Sequence, residues 1–219
     1  MNNEIIHRRL VWTGKLRLAH WLLAVSTFIL MATGWLIPVA PSIIDVTVDW
    51  HYLAAVVFIA ALVLRLWLLI SDRQSAGITA LMPGKGALPA IGQMLRFYIT
   101  LGKAPLPAWY AHNPLWKPVY LFAILVMLLL AVSGLLMDDY PAIFNLYIPD
   151  LHSTLATIFS IFVVLHIVTV FMHDAKGTGS DISAMVNGHR IFVVSKADNQ
   201  TVESTQRVDL QDFGKKHTG

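Results

Sequence analysis

The chain has no cysteine in its 219 residues and very few charged side chains. Without cysteine it cannot form disulfides, hold iron–sulfur clusters, use thiolate chemistry or attach c-type haem through a Cys-x-x-Cys-His motif. Charged residues make up 13% of the chain, against about 25% in soluble domains. Hydrophobic residues make up 56%, which excludes a largely disordered chain and argues against a soluble globular enzyme. We therefore expect an integral membrane protein.

Four apolar stretches have the length of about 20 residues that a helix needs to cross a bilayer. Pro38 and Pro41 end the first stretch, and Asp49 is a suitable N-cap for the second. The first stretch is too long for the core of a signal peptide, and no small-residue cleavage site follows it before Pro38. The sequence therefore predicts an all-α, four-helix membrane bundle, with helices at about 18–37, 50–70, 119–137 and 151–172.

The basic residues lie on one side of this predicted bundle. They precede the first helix, lie between the second and third, and follow the fourth, and Arg65 lies near the corresponding end of the second helix. Residues 38–49 and 138–150 contain no lysine or arginine. The positive-inside rule then places both termini in the cytoplasm. This topology accounts for the net charge of +3, so the sequence does not predict nucleic acid binding.

The predicted organisation has three parts: a cytoplasmic N-terminal segment (1–17), a four-helix transmembrane domain (18–173) with a long inner loop (71–117), and a cytoplasmic tail (174–219). Apolar residues at helical spacing in the loop predict a short helix in the membrane interface. These residues are Ile91, Met94, Leu95, Tyr98 and Leu101. In the tail, Ser180-Asp181 and Gly188 bound a predicted short helix, and residues beyond about 199 have the composition of a disordered end.

The histidines are the residues that best indicate a function, because placing a histidine within a membrane costs free energy and is usually tied to function. Four of the nine histidines lie in or at the ends of the predicted membrane helices. His152 and His166 lie 14 residues apart on the fourth helix. That offset leaves them about 40° apart around the helix and about 21 Å apart along it. One helix can therefore supply a ligand to each of two metal centres, one near each membrane surface.

The topology supplies a partner for each of these histidines at the same depth. His20 and His166 lie near the inner surface, and His51 and His152 lie near the outer surface. Since no cysteine is available, the sequence predicts two stacked b haems, each with two axial histidines: His20 and His166 for the inner haem, His51 and His152 for the outer. A single zinc site is disfavoured, because the pairs lie too far apart to form one tetrahedral centre.

Three further residues are candidates for the haem environment. Gly34 lies 14 residues after His20, and Gly134 lies at a similar depth in the third helix. Each glycine could let a helix backbone approach the outer haem, or could simply be a close helix-packing position. Arg65 lies 14 residues after His51, at the inner level. It could pair with a haem propionate or extend to the membrane surface.

Several motifs, taken in order, resemble the bacterial di-haem cytochrome b membrane subunits. The family includes the gamma subunits of respiratory formate dehydrogenases and the b-type cytochrome subunits of nickel–iron hydrogenases, and its superfamily includes stand-alone cytochromes b561. The resemblance covers about residues 17–188. The motifs are Arg17-Leu18-Ala19-His20-Trp21 running to Thr33-Gly34, Asn113-Pro114-Leu115-Trp116-Lys117 running to Ser133-Gly134, His152 with His166, and Lys176-Gly177 followed by Ala184-Met185-Val186-Asn187-Gly188.

The resemblance implies a membrane-anchor subunit of a respiratory oxidoreductase in the bacterial inner membrane, surrounded by membrane lipid. A periplasmic catalytic subunit, of hydrogenase or molybdenum/tungsten type, would pass electrons through an Fe–S subunit to the outer haem. The inner haem would exchange them with a quinone, either menaquinone or ubiquinone. The same histidine pairing applies in that family.

The family's quinone pocket lies beside the inner haem. Asn113 matches a quinone-contacting asparagine of the formate dehydrogenase subunits, whereas Leu115 and Trp116 depart from that subgroup. His112 and His173 are candidate proton relays to the quinone, or ordinary interfacial histidines.

Two other functions remain open at this point. A stand-alone cytochrome b561-type quinone oxidoreductase, for example a superoxide oxidase, would need no partner subunit. The long inner loop and tail favour a subunit over this alternative. A non-redox channel or proton-coupled transporter is disfavoured, because the helices lack intramembrane carboxylates and interruptions.

Overall fold

The computed structural model describes residues 4–84, 86–176 and 181–195. The helices are α1 (Gly14–Val39), α2 (Ile44–Ser71), α3 (Ile78–Leu81), α4 (Ala87–Ile99), α5 (Trp116–Leu136), α6 (Ile148–Lys176) and α7 (Asp181–Asn187). The strands are β1 (Glu4–Leu10), β2 (Ala142–Ile143), β3 (Leu146–Tyr147) and β4 (His189–Ser195). A single 3₁₀ turn, Pro41–Ile43, connects α1 to α2.

In the described part of the chain, α1, α2, α5 and α6 are long and apolar enough to cross a membrane, which confirms the prediction of four spans. The predicted start of α2 was wrong: Asp49 lies inside the helix and is not its N-cap. The 3₁₀ turn at Pro41–Ile43 leads directly into α2, which starts at Ile44, six residues before the predicted start, and Thr47 donates a hydrogen bond to the carbonyl of Ile43 (2.8 Å). Pro38 lies in the last turn of α1, so that helix also continues past its predicted end.

The four long helices pack as two antiparallel hairpins. Helix α1 packs mainly on α2, and α5 on α6, while α2 also contacts α5. The core between them contains Phe58, Leu62 and Phe159, all less than 8% exposed. Their outward faces carry large apolar side chains such as Trp35 and Leu135, which are more than half exposed. A surface of this kind is suited to lipid.

One end of the bundle carries a two-stranded antiparallel sheet, and we call it the sheet end. Strand β1 pairs with β4 in a register that joins Glu4 to Ser195 and Leu10 to His189. Gly188 precedes β4 with φ +87°, and its carbonyl accepts the backbone N–H groups of Val11 and Trp12 at 2.8 and 3.1 Å. A Cβ at Gly188 would lie 2.8 Å from the carbonyl oxygen of Trp12, so only glycine fits this crossing.

The opposite end, which we call the hairpin end, carries the short β2–β3 hairpin between α5 and α6. Phe144 and Asn145 turn this hairpin with φ of 48° and 64°. The two ends therefore differ in construction. The sheet end joins residues 4–10 to residues 189–195, whereas the hairpin end is built mainly from connections within each helix pair.

The inner loop and the tail cover the sheet end. Helix α4 is present as predicted, and it buries Met94 and Phe97 completely against the bundle. Helix α7 is also present and docks on α1, where Arg17 donates to the carbonyl of Val186 and the indole of Trp21 donates to the carbonyl of Met185 at 3.1 Å. Ser180 and the predicted disordered end lie outside the described residues.

Candidate cofactor sites

At the hairpin end, a hydroxyl of α1 holds the imidazole of His51. The Oγ1 of Thr33 lies 2.8 Å from His51 Nδ1, and the same hydroxyl bonds the carbonyl of Ile29 in its own helix at 2.7 Å. Because the hydroxyl has one proton and gives it to that carbonyl, its oxygen accepts from the imidazole. The proton of His51 is therefore on Nδ1, and Nε2 keeps a free lone pair. This is the arrangement of a metal-binding histidine with a fixed tautomer.

The second helical hairpin, formed by α5 and α6, holds its histidine in the same way. The Oγ of Ser133 on α5 lies 2.9 Å from Nδ1 of His152 on α6 and also bonds the carbonyl of Leu130 at 3.2 Å. The hydroxyl precedes its histidine by 18 residues in the first hairpin and by 19 in the second. His51 and His152 are close enough to interact electrostatically. Both hydroxyls belong to the sequence motifs given above, but the sequence alone indicates no role for either.

The glycine after each hydroxyl makes room for the imidazole. A Cβ on Gly34 would lie 3.6 Å from His51 Cε1, and a Cβ on Gly134 would lie 3.2 Å from His152 Cε1. The structure thus places both predicted glycines against the histidine rings. A side chain at Gly134 would force the His152 ring to shift, whereas Gly34 has slightly more space.

At the sheet end, His20 on α1 faces His166 on α6. Their ring centroids are 6.3 Å apart, with an angle of 70° between the planes. A metal bound by one nitrogen of each ring, with bonds of about 2.0 Å, gives a centroid separation of about 6.4 Å. The separation of this pair therefore fits one iron that His20 and His166 would hold between them. The buried Nδ1 of His166 has no hydrogen-bond partner among the described residues, so no hydroxyl fixes this ring.

The sheet-end pair opens into a cavity of about 450 Å³. The cavity wall is largely aromatic and apolar, and Trp116, Tyr120 and Phe162 pack around His166 with centroid separations of 5.8–6.0 Å. Every residue predicted for the inner haem and the quinone region lines this one cavity: His20, Arg65, His112, Asn113, His166 and His173. His51 and His152 are not part of its wall.

Arg65 is 9% exposed, and its guanidinium donates to the carbonyl of Ala76 at 3.0 Å. It faces the cavity and does not extend into open water. A buried cation that lines the same cavity as His20 and His166 suits an anionic group of a bound cofactor. The pairing of Arg65 with a haem propionate stays a prediction. The buried placement favours it over extension of the side chain to the membrane surface.

His112 lies in the same cavity, packed edge-on against Trp12 and Tyr120 at 4.8 and 5.9 Å. Burial lowers the pKa of His112 to about 4, and the positive charges of Arg65 and Lys117 add to this effect. At neutral pH His112 is therefore an uncharged wall residue, poorly suited to carry a proton.

Asn113 and His173 meet at Tyr98 of α4, a residue that the sequence indicated only as part of an apolar stripe. The phenol oxygen lies 3.1 Å from Asn113 Nδ2, 2.8 Å from Trp116 Nε1 and 2.7 Å from His173 Nε2. On its other side, His173 Nδ1 lies 3.4 Å from a carboxylate oxygen of Asp181. A polar network thus runs along one wall of the cavity.

The histidines occur in pairs: in the described ranges, no group of three or more histidine or acidic side chains converges to hold a metal ion. Two opposed imidazoles are enough for haem, whose ring supplies the other four nitrogens. The hydroxyl-fixed pair at the hairpin end and the 6.3 Å pair at the sheet end therefore both fit bis-histidine haem.

Comparisons with known proteins agree with this geometry. The family model for prokaryotic cytochrome b561 matches residues 11–188. The probable Ni/Fe-hydrogenase 1 B-type cytochrome subunits of Escherichia coli K12 and O157:H7 are each 23% identical over 222 aligned residues, covering 87% of this chain and 94% of their own length. No solved structure matches significantly. The chain therefore belongs to the prokaryotic cytochrome b561 family and is a multi-pass membrane cytochrome b.

Proposed function

We propose that the chain is the membrane-anchor cytochrome b subunit of a respiratory oxidoreductase complex and passes electrons across the bacterial inner membrane through two b haems. The observation that carries this proposal is the presence of two histidine pairs at opposite ends of one bundle. His152 and His166 lie 14 residues apart on α6, which separates the two centres by about 21 Å along the helix. Helix α6 therefore supplies one ligand to each centre.

At the hairpin end, His51 and His152 would hold one haem iron through Nε2. Thr33 and Ser133 accept from the opposite ring nitrogens and so fix both rings in the tautomer that can bind metal. The bound haem supplies a reversible one-electron centre. The residues of the chain fix its ligands, limit its movement and keep the surroundings apolar.

At the sheet end, His20 and His166 would hold the second haem iron. Arg65 would neutralise a propionate from within the cavity wall, where it is already anchored to the backbone of Ala76. Quinone, either menaquinone or ubiquinone, would bind in the same cavity beside Asn113, His112 and His173. A mostly apolar cavity with a few polar groups on one wall is suited to a quinone ring and its two oxygens.

The proposed orientation of the bundle in the membrane rests on the distribution of its basic residues. The described segments at the sheet end carry the basic residues, including Arg8, Lys15, Arg73 and Arg190, whereas residues 38–49 and 138–150 at the hairpin end have none. We place the sheet end in the cytoplasm, so residues 1–17, the loop 71–117 and the tail 174–219 are cytoplasmic and 18–173 form the transmembrane domain. Quinone chemistry then occurs on the cytoplasmic side.

The partner would dock at the hairpin end. The relatives are named as subunits of Ni/Fe-hydrogenase 1, and they support a periplasmic catalytic subunit of hydrogenase type. Because this chain has no cysteine, any iron–sulfur cluster must belong to a second subunit. The exposed β2–β3 hairpin and the Tyr52–Asp138 hydrogen bond (2.6 Å) lie on this face.

Two measurements test the proposal. The tagged chain, purified from its native membrane, should show reduced b-type haem bands and two haems per chain. Mass spectrometry of the chains that co-purify should identify an iron–sulfur subunit and a catalytic subunit. Absence of b-type bands would refute every redox function considered above. A haem-containing chain that isolates alone and reacts directly with quinone would instead establish a stand-alone cytochrome b561-type oxidoreductase.

A further inference from the structure

The hydrogen bonds around Tyr98 fix the direction in which its proton points. The indole of Trp116 can only donate, so its bond to the phenol oxygen (2.8 Å) has the oxygen as acceptor. The Oδ1 of Asn113 accepts the backbone N–H of Leu115 at 3.0 Å, so its Nδ2 is the group that donates to Tyr98 at 3.1 Å. With both lone pairs used, the phenol proton is directed to His173 Nε2 at 2.7 Å.

Burial raises the pKa of Tyr98 to about 12, so the phenol stays protonated at neutral pH and can make this donation. His173 Nε2 is then the acceptor of this bond, which leaves Nδ1 as the ring nitrogen that carries the N–H. The ring is 6% exposed and held in place by stacking on Tyr98 (5.7 Å) and by edge contact with Trp109 (5.0 Å). Nδ1 of His173 therefore has a fixed direction.

A partly exposed carboxylate, Asp181, lies beside this nitrogen. Nδ1 of His173 lies 3.4 Å from Asp181 Oδ2, and the Asp181 side chain is 19% exposed. The other carboxylate oxygen of Asp181 is 2.7 Å from Arg190, whose guanidinium also donates to the carbonyl of Tyr110 at 2.9 Å. The neighbouring carboxylate, Asp174, is occupied by the backbone N–H groups at the start of α7 (2.7 and 3.2 Å). Asp181 is thus the carboxylate held against His173.

Both His173 and Asp181 also line the cavity, on the wall that carries Asn113 and Trp116. We propose that Tyr98, His173 and Asp181 form a proton relay between water at the sheet end and a quinone bound in this cavity. His173 exchanges the proton with the quinone oxygen, Asp181 exchanges it with water, and Tyr98 sets the tautomer of His173. The relay rests on the proposed function, which supplies the electrons.

Quinone reduction takes two electrons and two protons; one cycle of the relay delivers one proton and restores the relay, so two cycles complete the reduction. The Nδ1–H bond of His173 breaks and an O–H bond forms on the quinone, while the phenol proton of Tyr98 moves to Nε2. The Tyr98 oxygen is then stabilised by the two donors already in place, Trp116 and Asn113. Next, Asp181 passes a proton from water to Nδ1, and Nε2 returns its proton to Tyr98. Quinol oxidation runs the same steps backwards.

The test uses the purified protein with haem bound and reduced, and follows haem oxidation by stopped flow after mixing with ubiquinone-1 or menadione. Tyr98→Phe and Asp181→Asn should slow oxidation by about 10- to 100-fold, because a positioned proton donor contributes this much or more. The solvent isotope effect should rise in both variants. Oxidation by ferricyanide, which takes an electron and no proton, should stay at the wild-type rate. Asp181→Glu should restore most of the quinone rate.

The matched control is Tyr110→Phe, since Tyr110 is exposed, outside the cavity wall and on the same loop. It should behave as wild type. The relay is wrong if both relay variants react with quinone at the wild-type rate and isotope effect, or if they lose quinone and ferricyanide rates equally. If Tyr98→Phe fails to load haem, Asp181→Asn alone decides. A wild-type protein that reacts with ferricyanide but with neither quinone overturns the proposed quinone function, and the relay with it.

Discussion

The two histidine pairs differ in how their imidazole rings are held. At the hairpin end, each imidazole is held by a hydroxyl one helix away and packed against a glycine. At the sheet end, His166 is surrounded by aromatic rings, lacks a partner for Nδ1 among the described residues, and opens into a cavity of about 450 Å³. Under the proposed function, this difference would let the hairpin end hold its haem rigidly, whereas the sheet end would also admit a quinone.

The largest effect is expected when one histidine is removed from each pair in turn. His152→Ala should remove the hairpin-end haem and leave the sheet-end haem, and His166→Ala should do the reverse, because each iron needs both of its histidines. Haem content per chain should fall by about half in each variant, measured by pyridine haemochrome and redox titration. His189→Ala, which changes a histidine outside the bundle, should keep both haems. Retention of both haems in either ligand variant would show that the pairing is wrong.

The two glycines offer a matched comparison within the hairpin end. Gly134→Ala places a Cβ 3.2 Å from the His152 ring, which must move, whereas Gly34→Ala places one 3.6 Å from His51, an ordinary contact. We expect Gly134→Ala to destabilise the protein by about 1–3 kcal/mol and Gly34→Ala by less than about 1 kcal/mol. The check is the temperature of haem release in detergent, with the spectrum of the sheet-end haem as an internal control. Equal effects would mean that close ring packing does not distinguish the two sites.

The hydroxyls should have a smaller and more specific effect. Thr33→Val and Ser133→Ala remove the acceptor for the ligand Nδ1 proton, which makes the imidazole a weaker electron donor to iron. The potential of the hairpin-end haem should rise by about 20–40 mV, equivalent to ~0.5–1 kcal/mol for one electron. Ser26→Ala is the control, because Ser26 bonds only its own helix carbonyls. A shift confined to the sheet-end haem would contradict the assigned tautomers.

The smallest effect concerns pH at the sheet end. Burial lowers the pKa of His112 to about 4 from an ordinary value of 6.5, so the unfolded chain takes up a proton in a range where the folded protein does not. The free energy of unfolding should therefore decrease as the pH falls from about 6.5 to about 4. His112→Phe should lessen that decrease, measured by thermal unfolding at several pH values. His7→Gln, at an exposed histidine, should leave it unchanged.

Periodicity and depth predicted the parts of the molecule that depend on single helices. The four spans, the offset between His152 and His166 and the helix around Met94 follow from 3.6-residue spacing and bilayer thickness. The roles of Thr33 and Ser133 did not follow, because contact between neighbouring helices depends on how each helix is rotated. Each motif contained the hydroxyl beside its glycine, yet only the packed hairpins show which ring that hydroxyl meets.

The strands and the Tyr98 network were missed for a related reason. Strands β1 and β4 lie at opposite ends of the sequence, and neither shows a regular alternation of polar and apolar residues. Tyr98 is spaced as an apolar stripe residue, and only the approach of α6 and α7 turns it into a hydrogen-bond centre. Asp181 was predicted as a helix cap, and its carboxylate instead meets His173 and Arg190.

The pairing of β1 with β4 has a consequence for the order of assembly. The hairpin-end site needs only α1 with α2 and α5 with α6, so it is complete once residue 152 and its helix have been made. The wall of the sheet-end cavity also includes Asp181, which pairs with Arg190, and the sheet at this end joins residue 4 to residue 195. Contacts that distant in sequence close long loops and are slow to form. We therefore expect the hairpin-end site to form first during synthesis, and the proposed quinone site to be closed later by the β1–β4 sheet.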